Sequence, residues 1–316
     1  MMPRTPAISS INKLPLILLA VLIAALAVAA PLRAAPADAA ACDRLAAYPG
    51  DPDNPEGIKG SLDIDRRDVA AALSACKAAA ATPDAPRRAI FELGRAYEFN
   101  RQPAEAAKAY RKAVEAGSMS AMVGLGALYA NGNGVRRNDT ETRKLFERSA
   151  EAGNPVGMTN LGSMYGAGVN VEVDFAMARH WFAKAADANY AEAMYRLGLM
   201  TQDRDGGAKD DVAAKALFEK AAALDHGGAL ERLGAYAEAG RAGAKDQSAA
   251  IAFYKKAAGL GSDDAADALK RLRCPFALKD KNGKPPAASA STATETVSSG
   301  APAARNHRGT AARAAR

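Results

Sequence analysis

The 316-residue chain is expected to be all-α, a solenoid of antiparallel helix pairs, and three observations lead there. Leu-Gly pairs recur at Leu125-Gly126, Leu161-Gly162, Leu197-Gly198 and Leu233-Gly234, each 36 residues after the last, with an earlier copy at Leu93-Gly94. A fixed period of this length is the mark of a repeat architecture, in which each unit buries its apolar face against its neighbours. Within each period, apolar and small residues fall at helical spacing and at no strand-like alternation. Aromatic residues make up only 6% and there is one Trp, so small side chains suited to close helix packing dominate.

The elements follow in chain order. Residues 1–35 carry Arg4 and Lys13 ahead of an uncharged apolar run, Leu14 to Ala30, followed by small residues. That is the layout of a secretory signal peptide, and an N-terminal membrane anchor is the alternative. Cleavage could fall after Ala34 or Ala35 or within Ala37 to Ala41. Residues 36–85 form an N-terminal cap outside the repeat frame. In an oxidising compartment its two cysteines, Cys42 and Cys76, are expected to bond; lipid attachment at Cys42 would forbid that bond. Cys274 is the odd third, free, capped or intermolecular.

Residues 86–278 hold the repeats. The first helix of a unit opens with a small residue, then the Leu-Gly pair, then an aromatic: Ala121, Leu125, Gly126, Tyr129, and again Gly157, Leu161, Gly162, Tyr165. Spacings of four and eight place the small residue, Leu and Tyr on one face, and Gly beside Leu lets a neighbouring helix approach. Gly within a helix costs about 1 kcal/mol relative to Ala, so its recurrence at one register argues for packing. A polar Gly-containing connection follows, such as Asn131 to Val135 with Asp139, or Gly166 to Val169 with Asp174. The second helix carries Leu145, Phe146, Ser149, Ala150, then Trp181, Phe182, Ala185, Ala186, then Leu217, Phe218, Ala221, Ala222, and Phe253, Tyr254, Ala257, Ala258. Each closes where positive φ is needed, at Gly117, Gly153, Asn189, His226-Gly227 or Gly261. Asp264 to Arg273 reads as a helix capping the last interface, and residues 279–316 as a disordered basic tail.

This frame, A-x-x-x-L-G-x-x-Y-x-x-G-x-G-V, then D, then an aromatic pair and A-A-x-x-G, resembles the Sel-one-like repeat of the tetratricopeptide superfamily, exported bacterial type, over about residues 86–273. The match is closest at 121–153 and 157–189. Later units depart from it, with Thr201 for the Tyr and Gln202 to Asp211 for the Gly-rich connection, and the first unit is nearer a plain tetratricopeptide unit. The resemblance implies a right-handed solenoid whose first helices line a concave, partner-binding face. Carried onto this sequence, that face comprises Arg88, Phe91, Arg95 and Glu98, then Thr159 and Ser163, then Glu192, Tyr195 and Gln202, then Glu231 and Glu238.

Charge narrows the function. Of the formal +7, residues 1–35 supply +3 and residues 279–316 supply +5, which leaves −1 on residues 36–278. A specific nucleic-acid partner is therefore disfavoured, and the basic tail offers only weak, salt-sensitive contact with the cell envelope. His180, His226 and His307 have no second ligand at zinc spacing, so neither a metal nor a cofactor is expected. Ser74 and Lys77 have the S-x-x-K spacing of penicillin-recognising serine enzymes, and some cysteine-rich Sel-like relatives are linked to β-lactam binding. No S-D-N or K-T-G accompanies them, and no catalytic residue is assigned. The sequence thus points to an exported, periplasmic, non-catalytic scaffold for a protein or peptide partner. A β-lactam-binding or hydrolysing enzyme and a tail-mediated envelope tether are the alternatives.

Overall fold

The computed structural model describes residues 36–273 apart from Pro83. The signal segment, Cys274 and the basic tail lie outside the described residues. Within them are thirteen α-helices and no strand, as the periodicity requires.

The first pair is α1 (Pro36–Ala46) and α2 (Val69–Ala80). Five further pairs follow: α3 (Arg87–Phe99) with α4 (Pro103–Glu115), α5 (Met119–Asn131) with α6 (Asp139–Glu151), α7 (Pro155–Ala167) with α8 (Phe175–Asp187), α9 (Ala191–Asp203) with α10 (Asp211–Ala223), and α11 (Gly227–Ala239) with α12 (Gln247–Gly259). The terminal helix is α13 (Asp263–Arg273). Every helix packs on the next in sequence, and the first helices α3, α5, α7 and α9 also touch one another in succession. This is the nearest-neighbour packing of a solenoid.

What sets the geometry of a pair is the Leu-Gly glycine. A Cβ at Gly94 would lie 2.3 Å from the ring of Tyr110, at Gly126 2.5 Å from Phe146, at Gly162 3.0 Å from Phe182, at Gly198 2.6 Å from Phe218, and at Gly234 2.7 Å from Tyr254. The ring of each second helix thus rests on the bare backbone of the first helix of its own unit. One turn beyond the ring, Ala113, Ser149, Ala185, Ala221 and Ala257 are completely buried. There the first helix of the following unit comes close: a Cβ at Gly157 would sit 2.5 Å from Ser149 Oγ, which also donates to the Met119 carbonyl of its own unit at 3.0 Å.

The N-terminal cap, set apart from the repeat frame by its sequence, is a helix pair of the same kind. Cys76 lies seven positions after Val69, the first residue of α2, as Tyr110 lies seven after Pro103 and Phe146 seven after Asp139. The disulfide Cys42–Cys76 therefore stands where the repeats have a ring on a glycine.

Loops are pinned at one register. The N–H groups of Asn138, Asp174, Asp210 and Asp246 donate to the carbonyls of Tyr129, Tyr165, Thr201 and Ala237. The same four side chains cap the second helices, accepting from N–H groups of the first turn, as N-cap Asn and Asp do. Asp139 falls one residue inside its helix and leaves the cap to Asn138. Another sequence expectation needs correcting: the fourth second helix closes through Asp225 (φ 58°), not His226-Gly227. His226 instead caps α11, its Nδ1 accepting from the Ala229 N–H at 3.1 Å. At the other end, Ala265 of α13 is fully buried, and Ala268, Leu269 and Leu272 pack on the last core cluster.

Two substitutions test these constraints by thermal denaturation followed by circular dichroism. Gly126→Ala should destabilise by a net of about 1–2 kcal/mol, because overpacking Phe146 outweighs the ~1 kcal/mol gained in helix propensity. Arg204 closes α9 at φ 69°, where other units have Gly132, Gly168 and Gly240. Since a left-handed L-residue carries about 1–2 kcal/mol of strain and Gly gives some of that back in chain entropy, Arg204→Gly should stabilise by about 0.5–1 kcal/mol.

Candidate functional site

Three arginines on α3 bind the cap. Arg87 forms a two-pronged pair with Asp53, both contacts 2.6 Å, and Arg88 another with Asp43 at 2.9 and 3.2 Å. Arg95, only 4% exposed, donates to the Ala46 carbonyl at 2.6 Å and to those of Ser61 and Leu62 at 2.7 Å. Its guanidinium also lies over the rings of Tyr48 at 5.1 Å and Phe99 at 5.8 Å. A planar, five-donor cation suits this combination of carbonyls and ring faces. The segment 47–68 between α1 and α2 is thereby held beside the inner face of α3. Gly60 (φ 69°) allows its return, since a Cβ there would meet the Ala47 carbonyl oxygen at 2.7 Å.

Between this segment and the first helices lies a narrow cleft of about 50 Å³. Tyr48 and Leu62 form the cap side, Phe91, Arg95, Glu98 and Phe99 the α3 side, Val123, Gly124 and Ala127 the α5 side, and Asn154 and Val156 the far rim. Tyr110 reaches its floor, beneath Gly124, where a Cβ would lie 2.9 Å from the ring. Most of the lining is apolar, with a few fixed polar groups, the usual make-up of a site that takes one side chain or small group. Tyr110 donates its hydroxyl proton to Glu98. Burial raises the pKa of the Glu98 carboxyl above the ordinary range despite that bond and the nearby Arg95 charge. Neither histidine nor cysteine lines the cleft.

Phe91, Arg95 and Glu98, chosen from the sequence, meet in this cleft. Arg88 does not; it faces Asp43. Thr159 and Ser163 are buried, each donating to a carbonyl one turn earlier. Glu192 is bound by Arg196 and His226, and Tyr195 stacks on His226 with centroids 4.7 Å apart. Gln202 accepts from the Tyr236 hydroxyl at 3.2 Å, Glu231 from Ser262, and Glu238 from Tyr254 and Arg271. Sequence reasoning passed over Val123 and Ala127, although they stand 32 residues after Phe91 and Arg95 and 36 before Thr159 and Ser163. The repeat register was a signal that could have found them; Tyr48, Leu62 and Asn154 had none. Ser74 is exposed on α2, and Lys77 lies over the Tyr97 ring at 5.4 Å, both away from the cleft lining.

Beneath the cap, Glu92 is fully buried, with Oε2 3.0 Å from Cys42 Sγ and no partner for Oε1. Burial, and then the Asp43 charge, raise its pKa from 4.5 to about 8, so at neutral pH the carboxyl is mainly protonated. A disulfide sulfur carries no proton, and the neutral O–H is the group able to donate across that contact.

The Sel1 repeat model matches residues 120–154, 155–190, 191–226 and 228–262. Among solved structures, a Sel1 repeat protein from Oxalobacter formigenes is similar at 27% identity and TM-score 0.59, over 66% of this chain and 90% of that one. A protective antigen of uropathogenic Escherichia coli with an SLR fold is similar at 30% identity and TM-score 0.53, over 65% of this chain and 44% of that one. This chain therefore spans less than half of that antigen. No curated protein matches the chain.

The buried carboxyl makes stability depend on pH. Between the ordinary value of 4.5 and about 8, the folded chain keeps a proton that the unfolded chain has lost, so stability is greatest below that window and falls as pH rises through it. The loss is on the order of a few kcal/mol. Glu92→Gln keeps the neutral shape and should flatten this slope, measured as urea midpoints of the oxidised protein at pH 5, 6.5 and 8.

Proposed function

Starting from a chain that carries four Sel1 repeats, we propose an exported, periplasmic, non-catalytic scaffold. Its cleft between the cap and α3–α5 takes an apolar side chain of a protein or peptide partner. Sel1 repeat proteins generally bind protein partners, and the observation that carries the reading to this site is the cleft itself, with aromatic walls and fixed polar points. Small buried pockets that accept one bulky side chain dominate many interfaces energetically.

Export is supported by the fully buried Cys42–Cys76 disulfide and by the basic-then-apolar layout before residue 36. Among the described residues no helix is long and apolar enough to cross a membrane. Residues 279–316, with a net +5, add a weak, salt-sensitive contact with anionic envelope surfaces.

Ala127 is half-buried on the cleft lining, so Ala127→Trp should fill the space. Affinity for the partner should drop by at least about tenfold while the thermal midpoint stays within a few degrees. Quantitative co-purification from envelope extract, wild type beside Ala127→Trp and a Ser74→Ala control, checks it; a partner retained equally by all three would contradict the cleft. Separately, protein from the periplasmic fraction should show no alkylation of Cys42 or Cys76 without reductant, read by peptide mass.

A further inference from the structure

Glu92 is a difficulty for a purely structural cap. It is a carboxyl side chain at 0% exposure, and one oxygen has no partner. A buried polar atom left unsatisfied costs about 1–3 kcal/mol. The same carboxyl, whose Oε2 lies 3.0 Å from Cys42 Sγ, belongs to a group whose ligand atoms are already assembled. One sulfur each from Cys42 and Cys76 and one carboxylate oxygen of Glu92 all lie within 4.8 Å of one another, and all three residues are buried.

We infer that, when the Cys42–Cys76 bond is open, the two thiolates and the Glu92 carboxylate form a zinc site that closes the cap in place of the disulfide. Two sulfurs and one oxygen are a donor set suited to Zn²⁺, with Zn–S near ~2.3 Å and Zn–O near ~2.0–2.2 Å. Tetrahedral angles then ask the sulfurs to separate to about 3.7 Å, a movement of side chains on α1 and α2 whose Cα atoms are already 4.8 Å apart. The fourth position falls to water, since the neighbouring Asp43 is already held by both prongs of Arg88.

The chemistry balances without a further participant. The open form is either the chain before oxidation or the product of an external dithiol, which gives two electrons and two protons to the sulfurs and becomes a disulfide itself. Zn²⁺ then displaces protons from both thiols and, where it is neutral, from the carboxyl. Two thiolates and a carboxylate around Zn²⁺ leave a net −1, facing the Arg88–Asp43 pair. The same two cysteines would thus hold α1 to α2 under oxidising conditions by a covalent bond and under reducing conditions by a metal.

The test uses the full chain carrying Cys274→Ser, reduced and handled without oxygen, with cobalt(II) as the optical probe. A thiolate-to-cobalt charge-transfer band should saturate at one equivalent and be displaced by Zn²⁺. The oxidised chain should give no band, Cys42→Ser should lose it, and Glu92→Gln should weaken binding by at least about tenfold. Adding Zn²⁺ should also raise the thermal midpoint of the reduced chain and leave the oxidised chain unchanged, a comparison that needs no cap variant to fold. No band and no shift in the reduced chain, or equal binding by Glu92→Gln, overturns the inference.

Discussion

Each repeat is organised round one steric fact, an aromatic ring lying on a helix backbone that has no side chain at that point. Gly94, Gly126, Gly162, Gly198 and Gly234 leave room for Tyr110, Phe146, Phe182, Phe218 and Tyr254, and the ten repeat helices share a length of thirteen residues. Once the ring is seated, every offset along both helices has a fixed direction. The residue one turn past the ring then faces the next unit, where only Ala or Ser fits, and the loop between the helices is short enough to be clipped by a single N–H. Because a solenoid's stability is roughly a sum of units and interfaces, a fault at one glycine weakens its unit and the two interfaces beside it.

The cap obeys the same geometry with different chemistry. A covalent bond replaces the ring-on-glycine contact, and the segment 47–68 is threaded between its two helices where the repeats have short connections. That longer segment has few apolar anchors of its own; Arg87 and Arg95 hold it from α3, while Arg88 ties α3 to Asp43 on α1. The cleft follows from this arrangement, since its cap side exists only while Arg95 keeps its three carbonyls.

The parts legible in the sequence are those that repeat. Leu-Gly spacing located the helix pairs, the aromatic and small residues located the stripe, and the basic and apolar runs located the ends. Reading the concave face was less reliable for a physical reason. A residue off the packing stripe was taken as free for a partner, yet α3, α5, α7 and α9 touch one another directly, so Thr159 and Ser163 are shut between helices and Gln202 is buried under Tyr236. Arg95 illustrates the other limit. Its carbonyl partners belong to a non-repeating segment, and backbone acceptors leave no trace in residue identity. His226 was read as part of a helix ending because Gly227 follows it, whereas an imidazole nitrogen capping α11 and a carboxylate partner at Glu192 decided its place.

These differences give the solenoid a direction. Toward the C-terminal end, polar side chains of the inner helices bind the following unit: Glu192 to His226, Gln202 to Tyr236, Glu231 to Ser262 and Glu238 to Arg271. Their hydrogen-bonding capacity is directed along the stack, and a ligand there would have to displace existing partners, at a net cost of about 0.5–1.5 kcal/mol per bond lost. Toward the N-terminal end, α5 presents Val123, Gly124 and Ala127 to the cleft, which offer shape and apolar surface with no side-chain hydrogen bond to displace. Recognition is therefore favoured where the inner face is smallest in side-chain volume and walled by the cap, and rigidity where the polar ties run between units. The same division explains why net charge is a poor guide to this molecule: residues 36–278 carry only −1, and what distinguishes one end from the other is how its polar groups are already bonded.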